Sequence, residues 1–151
     1  MTYHDALRHH VERRMQVDLE LPAAVVADED GDYVYVAPEG PVVWVRPGMS
    51  MSPVPVRISA IAATGVKKTA ALLTELNEWN DVVPLARFVW DRGVIRVWTD
   101  AVIESIEPGE LGHSIKHVAF HAHRIGDIAA TVYGGTVPWA VNETEPSEDS
   151  A

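Results

Sequence analysis

Residues 86–98, ARFVWDRGVIRVW, decide the fold of this 151-residue chain. Apolar and polar residues alternate on both sides of the Asp91–Gly93 turn, as they do in two strands joined by a tight turn. Strands joined in this way pair antiparallel. The segment therefore predicts a hairpin of Ala86–Trp90 with Val94–Trp98, and it argues against a doubly wound parallel sheet.

More extended segments precede this hairpin. Turn-forming residues at 28–31 (DEDG) and 38–41 (PEGP) divide that part of the chain. The runs that predict strands between and around these turns are Tyr33–Val36, Val42–Arg46 and Val54–Ala62, with the apolar run Ala23–Ala27 as a further candidate. With the hairpin, they predict an antiparallel sheet of about five or six strands.

Three segments have the periodicity of amphipathic helices. In the first, apolar residues recur at every fourth position between Tyr3 and Met15; the second, Lys67–Trp79, is rich in Ala, Leu and Glu. The third, Pro108–Val132, has one apolar stripe that steps by three and four residues. The sequence therefore predicts an α+β fold, in which the sheet is flanked by an N-terminal, a middle and a long C-terminal helix.

Composition limits the chemistry that the chain can carry. It has no cysteine, which excludes disulfides, iron–sulfur clusters and thiolate zinc sites. Its net charge of −10 argues against nucleic-acid binding, and no apolar run of ~18 residues predicts a membrane span. Because the N-terminus lacks the apolar core of a signal peptide, we expect a cytoplasmic protein.

The last residues differ in composition from the rest. Residues 142–151 carry four carboxylates and almost nothing to bury, so they predict a disordered acidic tail. No other shift in composition and no internal repeat divides the chain. We therefore expect one domain over residues 1–141.

No sequence motif indicates catalysis. The chain lacks the glycine-rich phosphate loops and the GxSxG nucleophile elbow. The carboxylates of Asp28, Glu29 and Asp30 lie on a predicted turn, where hydration explains them. The sequence therefore predicts a protein that is not an enzyme and needs no cofactor.

Histidines provide the one alternative with metal chemistry. His113, His117 and His121 recur every four residues on the third helix, and two imidazoles at this spacing can share a metal ion. One ion cannot bridge all three, however, and no HExxH motif is present. Solvated or interface histidines are the favoured interpretation of this row. A weaker cluster on the first helix, His4, His9 and His10, is interpreted as surface residues.

Aromatic residues suggest a partner or dimer surface. A helical wheel places Phe120 opposite the apolar stripe of the third helix, with Ile128 away from its centre. Trp90 and Trp98 lie in the hairpin and could face the same side of the sheet, as core or as part of a peptide groove. Docking of a partner and packing in the core both stay open here.

The segments LNEWN (76–80), ARFVWD (86–91) and GVIRV (93–97) resemble the YbjN family, as does DEDGDYVYV (28–36). The resemblance covers about residues 5–133. It implies a bacterial sensory-transduction regulator with a fold similar to type III secretion chaperones, often dimeric. A longer connection after Val42–Arg46 and the histidine-rich last helix depart from the family pattern.

We therefore expect a chaperone-like or regulatory binding protein that holds a peptide or unfolded segment of a protein partner, as a homodimer. Apolar docking and main-chain pairing to a sheet edge would hold the segment, and the acidic charge would favour basic or neutral segments. The alternative is a metal- or ligand-responsive regulator that uses the histidine row. Asn77 and Asn80, near the end of the second helix, are interpreted as capping residues.

Overall fold

The computed structural model describes residues 1–50 and 52–139, which form three helices and one sheet of five strands. In chain order the elements are α1 (Tyr3–Asp18), β1 (Tyr33–Val36), β2 (Val42–Pro47), β3 (Pro55–Ala63), α2 (Ala70–Val82), β4 (Arg87–Asp91), β5 (Val94–Val102) and α3 (Glu110–Val132). A short 3₁₀ turn, Ile103–Ser105, precedes α3. The α+β class and its three helices are confirmed.

All neighbouring strands pair antiparallel, in the order β1-β2-β3-β5-β4. The hairpin of β4 and β5 forms as predicted, with Asp91 opposite Val94. Arg92 and Gly93 both have positive φ, 49° and 85°, which is the backbone of a two-residue type I′ turn. Because β3 pairs with β5, β1 and β4 are the two edge strands.

Three predicted boundaries were wrong. Ala23–Ala27 is not a strand, because its apolar side chains bury little; Val26 is 82% exposed. β5 continues to Val102, since its last residues still pair with β3. α2 begins only at Ala70, because Thr69 is its N-cap and accepts a hydrogen bond from the main-chain N–H of Leu72.

Alternation along the strands gives the sheet an inner and an outer face. The inner side chains are buried beneath α1 and α3, and they include Val43, Val45, Val56, Ile58, Ile95 and Val97. α3 approaches β3 closely at Gly126, where a Cβ would lie 2.5 Å from the carbonyl oxygen of Ala62. The core therefore lies on one side of the sheet.

None of the described helices has the length and apolarity that crossing a membrane requires.

Asn80 joins α2 to the edge strand β4. Its amide nitrogen donates to the carbonyl oxygen of Phe88 at 2.9 Å, and its Oδ1 accepts from the N–H of Phe88 at 2.8 Å. The interpretation of Asn80 as a helix cap was therefore wrong, since its polar atoms are used by a strand. This contact closes the β4 edge at Phe88.

Candidate functional site

The outer face of the sheet presents rows of side chains that cross from strand to strand. One row contains Val34, Trp44, Ser59, Trp98 and Arg87, which are successive partners in the register from β1 to β4. The two tryptophans thus lie on either side of a small serine. This arrangement leaves a depression in the middle of the face.

That depression is a cleft of about 440 Å³, named here the outer-face cleft. Its lining residues come from β2, β3 and β5 and from the turn before β1: Asp32, Trp44, Arg46, Arg57, Ser59, Ala60, Ile61, Arg96 and Trp98. Aromatic walls and guanidinium groups therefore face the same open space. Such a surface can bind both apolar and anionic groups.

Two of the arginines in the cleft are already paired. Arg46 makes two bonds to the carboxylate of Asp32, at 2.6 and 2.8 Å, and Arg57 makes two to Asp100, at 2.9 and 3.0 Å. These hydrogen bonds raise the pKa of each guanidinium above its ordinary value. The guanidinium of Arg57 also lies 3.8 Å from the centre of the Trp98 ring, in a cation–π contact.

Two other arginines of this face have no acidic partner within the described residues. Arg96 is exposed on β5, opposite Ile61 of β3, and Arg87 lies on β4 with its guanidinium 5.1 Å from the Trp98 ring centre. Neither forms an ion pair within 4.0 Å with a described carboxylate. Among the residues that line the cleft, three arginines therefore accompany one carboxylate, that of Asp32.

The β1 edge, Tyr33–Val36, is open for strand pairing. Ala37 donates its N–H to the carbonyl of Pro41 on the β2 side, so the alternation of hydrogen-bonded pairs directs the main-chain groups of Val34 and Val36 away from β2. At Asp32, the outward groups are bonded to Asp28. The outward groups at positions 34 and 36 have no such partner among the described residues.

The structure separates the two hairpin tryptophans. Trp98 lies on the outer face, whereas Trp90 lies opposite Ile95 on the inner side, where its Nε1 donates to the carbonyl oxygen of Val66 at 2.9 Å. The expectation of a shared face was wrong, because the turn pairs residue 90 with 95 and residue 98 with 87, which have opposite parity along the pleat. Of these two tryptophans, Trp98 lines the cleft and Trp90 does not.

Phe120 and Ile128, the residues of α3 that were predicted to form a partner or dimer surface, lie apart from the cleft. Phe120 is 53% exposed, and its ring packs edge-on against His121 at 5.1 Å between centroids. Ile128 is half-buried and lies two turns further along the helix, about 12 Å away. The structure therefore does not bring Phe120, Ile128, Trp90 and Trp98 together into one site.

The histidine row is divided between solvent and packing. His113 is exposed, whereas His117 and His121 pack edge-to-face at 4.5 Å between centroids. His117 Nε2 lies 2.9 Å from the carbonyl oxygen of Pro84. Burial, with a smaller contribution from His117, lowers the pKa of His121.

Metal coordination gains no support from these positions. In the part of the chain that the structure describes, no three His, Asp or Glu side chains are grouped so that they could hold a metal ion. On α1, His4 lies near the carbonyl of Ser50 and His9 near Glu12, so they do not converge with His10. Asp28 accepts hydrogen bonds from the N–H groups of Asp30 and Asp32, as a turn residue does.

Comparison with known proteins identifies the class to which this fold belongs. The model of the family "T3SS (YopN, CesT) and YbjN peptide-binding chaperone 1", TY-Chap1, matches residues 5–140. The chain belongs to this family of peptide-binding chaperones, which confirms the resemblance and the chaperone-like function expected from the sequence. No curated protein matches the chain.

Solved structures agree on the fold. One chain of the ExsC–ExsE complex is 12% identical, with a TM-score of 0.61 over 85% of this chain and 96% of its own. The Yersinia pestis type III secretion chaperone SycH, in complex with a fragment of YscM2, is 17% identical. Its TM-score is 0.59, over 77% of this chain and 96% of its own. One chain of the HopA1–SchA chaperone–effector complex is 8% identical. Its TM-score is 0.63, over 84% of this chain and 99% of its own.

The arginines of the outer-face cleft and the role of Trp44 were not predicted from the sequence. A pattern was present, since Trp and Arg occupy alternate positions in two predicted strands, at 44 and 46 and at 96 and 98. In β3, Arg57 and Ser59 alternate with buried residues in the same way. Such alternation indicates one exposed, polar face, but only the register shows that these residues are neighbours.

Proposed function

We propose that this protein binds an extended segment of a partner protein by adding it as a further strand at the β1 edge. The observation that carries this proposal is the open pair of main-chain positions at Val34 and Val36, beside the outer-face cleft. Their side chains are 43% and 63% exposed, so apolar side chains of a bound segment could pack on them. Family membership supports the same mode, because the family is one of peptide-binding chaperones.

The β4 edge is less suited to this role. Asn80 occupies both main-chain groups of Phe88, and α2 packs beside the strand. A segment added at β4 would have to displace this contact. Strand addition at β1 displaces no hydrogen bond between described residues at positions 34 and 36.

The rest of the proposal concerns assembly and setting. The protein acts as a homodimer in the cytoplasm and works by binding, without a catalytic step. Phe120 supports a second copy as the occupant of the α3 surface, because its ring is half-exposed beside the contact of His117 with Pro84, where Leu85 is also 83% exposed. An apolar surface of this kind is typical of a protein interface.

Proline substitution at the β1 edge tests the binding mode. Val34→Pro removes the outward N–H that a bound segment would use, while the hydrogen bonds of β1 to β2 remain. Val34→Thr is the matched control, since it changes the side chain and keeps the N–H. Affinity capture from the native cell lysate with mass spectrometry should recover the same partners with wild type and Val34→Thr and lose them with Val34→Pro.

The fold of each variant is checked by circular dichroism and thermal unfolding before capture. If a folded Val34→Pro protein retains every partner that the wild type retains, then strand addition at β1 is wrong.

A further inference from the structure

The charge of the outer-face cleft is opposite to that of the whole chain. The chain has a net charge of −10, which by itself favours basic partner segments. Among the residues that line the cleft, however, three are arginines (46, 57 and 96) and one is an acid, Asp32; Asp100 pairs with Arg57, and Asp28 and Asp30 act on Arg46 from the turn before β1. A ligand in the cleft interacts with these nearby groups more strongly than with distant surface charges, which salt screens.

We propose that the outer-face cleft selects acidic segments of partner proteins, in which an apolar and a carboxylate side chain stand two residues apart. The proposal rests on the proposed function, because it names the kind of segment that the β1 edge would hold. Arg96 is the central contact, since it lines the cleft and has no acidic partner among the described residues. Arg46 and Arg57 are less available, because Asp32 and Asp100 already hold them.

The spacing of side chains in the cleft fits an apolar and an acidic side chain that lie two residues apart. Ser59 lies between Trp44 and Trp98 in the register, so an apolar side chain placed above this small residue lies beside both tryptophans. The next position along β5 from Trp98 on this face is Arg96, about 7 Å further. Two side chains of an extended ligand that lie two residues apart, and so on the same face, can therefore contact first the aromatic and then the cationic group.

Distance also permits one segment to use both the edge and the cleft. Trp44 is the direct partner of Val34 in the register, so the cleft begins beside the β1 edge. Arg96 lies on β5, three strand spacings from β1, or about 14 Å. A segment paired outside β1 lies one spacing further away, about 19 Å from β5; about six extended residues cover this distance, so a dodecapeptide is long enough for both contacts.

Two occupants other than a partner segment can also fill the outer-face cleft. The first is the acidic end of this chain, with Glu143, Glu145, Glu148 and Asp149. The second is another copy of the protein. Charge complementarity favours a partner segment, and occupation by the acidic end or by a second copy would each give a different result in the binding experiment.

The experiment measures binding of labelled dodecapeptides by fluorescence anisotropy. Each of the three probes repeats the four-residue pattern valine, serine, X, serine three times, where X is glutamate, glutamine or lysine, so that valine and X share one face of the extended peptide. The full-length wild type should bind the glutamate peptide at least about tenfold more tightly than the glutamine peptide, the value of one charge-assisted hydrogen bond. Added salt should weaken binding of the glutamate peptide and leave the glutamine peptide nearly unchanged.

Arg96→Gln should remove most of the preference for glutamate while retaining the affinity for the glutamine peptide. Arg13→Gln is the matched control: it removes the same charge from an exposed position on α1 and should change neither affinity. Equal affinity for glutamate and glutamine peptides, or tighter binding of the lysine peptide, overturns the proposal while strand addition stands. Loss of glutamine-peptide binding in Val34→Pro tests the edge separately, and a wild type that binds none of the probes contradicts both proposals.

The other occupants are distinguished with the full chain. A variant with Glu143, Glu145 and Glu148 changed to Gln and Asp149 changed to Asn should bind the glutamate peptide as the wild type does. A gain of tenfold or more would show that the chain's own acidic end occupies the cleft, which overturns the choice of a partner segment. Conversion of a dimer to a monomer by Arg96→Gln, seen in light scattering, would overturn it in favour of a second copy.

Discussion

Replacement of Asn80 by alanine should destabilise the protein by about 1.5 kcal/mol. The substitution removes two hydrogen bonds between α2 and Phe88 of β4, at 2.8 and 2.9 Å. At about 1 kcal/mol for each bond, the loss is about 2 kcal/mol. The higher helix propensity of alanine returns about 0.6 kcal/mol, because residue 80 lies inside α2.

Urea unfolding followed by tryptophan fluorescence measures this change, and thermal unfolding should show a midpoint lower by about 3–6 °C. Asn77→Ala is the matched control, since Asn77 is exposed on the same helix and its side chain makes no hydrogen bond to the described residues. The control should be neutral or slightly stabilising. If the two variants differ by less than about 0.5 kcal/mol, the contact between Asn80 and Phe88 does not hold the edge strand.

Four further predictions address other parts of the molecule. Phe120→Asp should convert the proposed dimer to a monomer in light scattering, because it places a charge in an apolar interface; an unchanged dimer would exclude this surface. Gly126→Ala should cost at least about 2 kcal/mol in urea unfolding, because the added methyl group collides with the main chain of β3. Burial and a hydrogen bond to a glutamate raise the pKa of Tyr33 to about 12; its contribution to stability is present below pH 10 and lost as the pH rises from 10 to 12. Tyr33→Phe should therefore lose less stability than the wild type over that range in pH-dependent unfolding. Burial lowers the pKa of His121, so the folded state resists its protonation and loses stability as the pH falls below about 6.5. In pH-dependent unfolding, His121→Gln should therefore lose less stability than the wild type between pH 7 and 5.

Much of the fold follows from periodicity in the sequence. The four-residue spacing from Tyr3 to Met15 and the long stripe of Pro108–Val132 correspond to α1 and α3, and the turn at Asp91–Gly93 corresponds to the β4–β5 hairpin. These elements could be predicted because the period of each is set by local geometry. Ala23–Ala27 failed the same test, since an apolar run becomes a strand only when it finds a neighbour to pair with.

The outer-face cleft could not be predicted in the same way. Trp44, Ser59 and Trp98 are far apart in the chain and become neighbours only through the register of three strands. Periodicity shows that such residues alternate with the core, but it does not show which residue faces which. Asn80 was misassigned for a similar reason, because its partner on β4 is chosen by tertiary packing.

The crossing row of Val34, Trp44, Ser59, Trp98 and Arg87 has a consequence for how recognition could change during evolution or design. Each member is carried by a different strand, and in β2 and β3 the side chains immediately before and after it are buried in the core, as is Val97 before Trp98 in β5. A substitution in the row therefore alters the ligand that the face accepts and leaves the interior packing intact. In this respect the sheet resembles the framework of an antibody, with the variable positions spread over strands in place of loops.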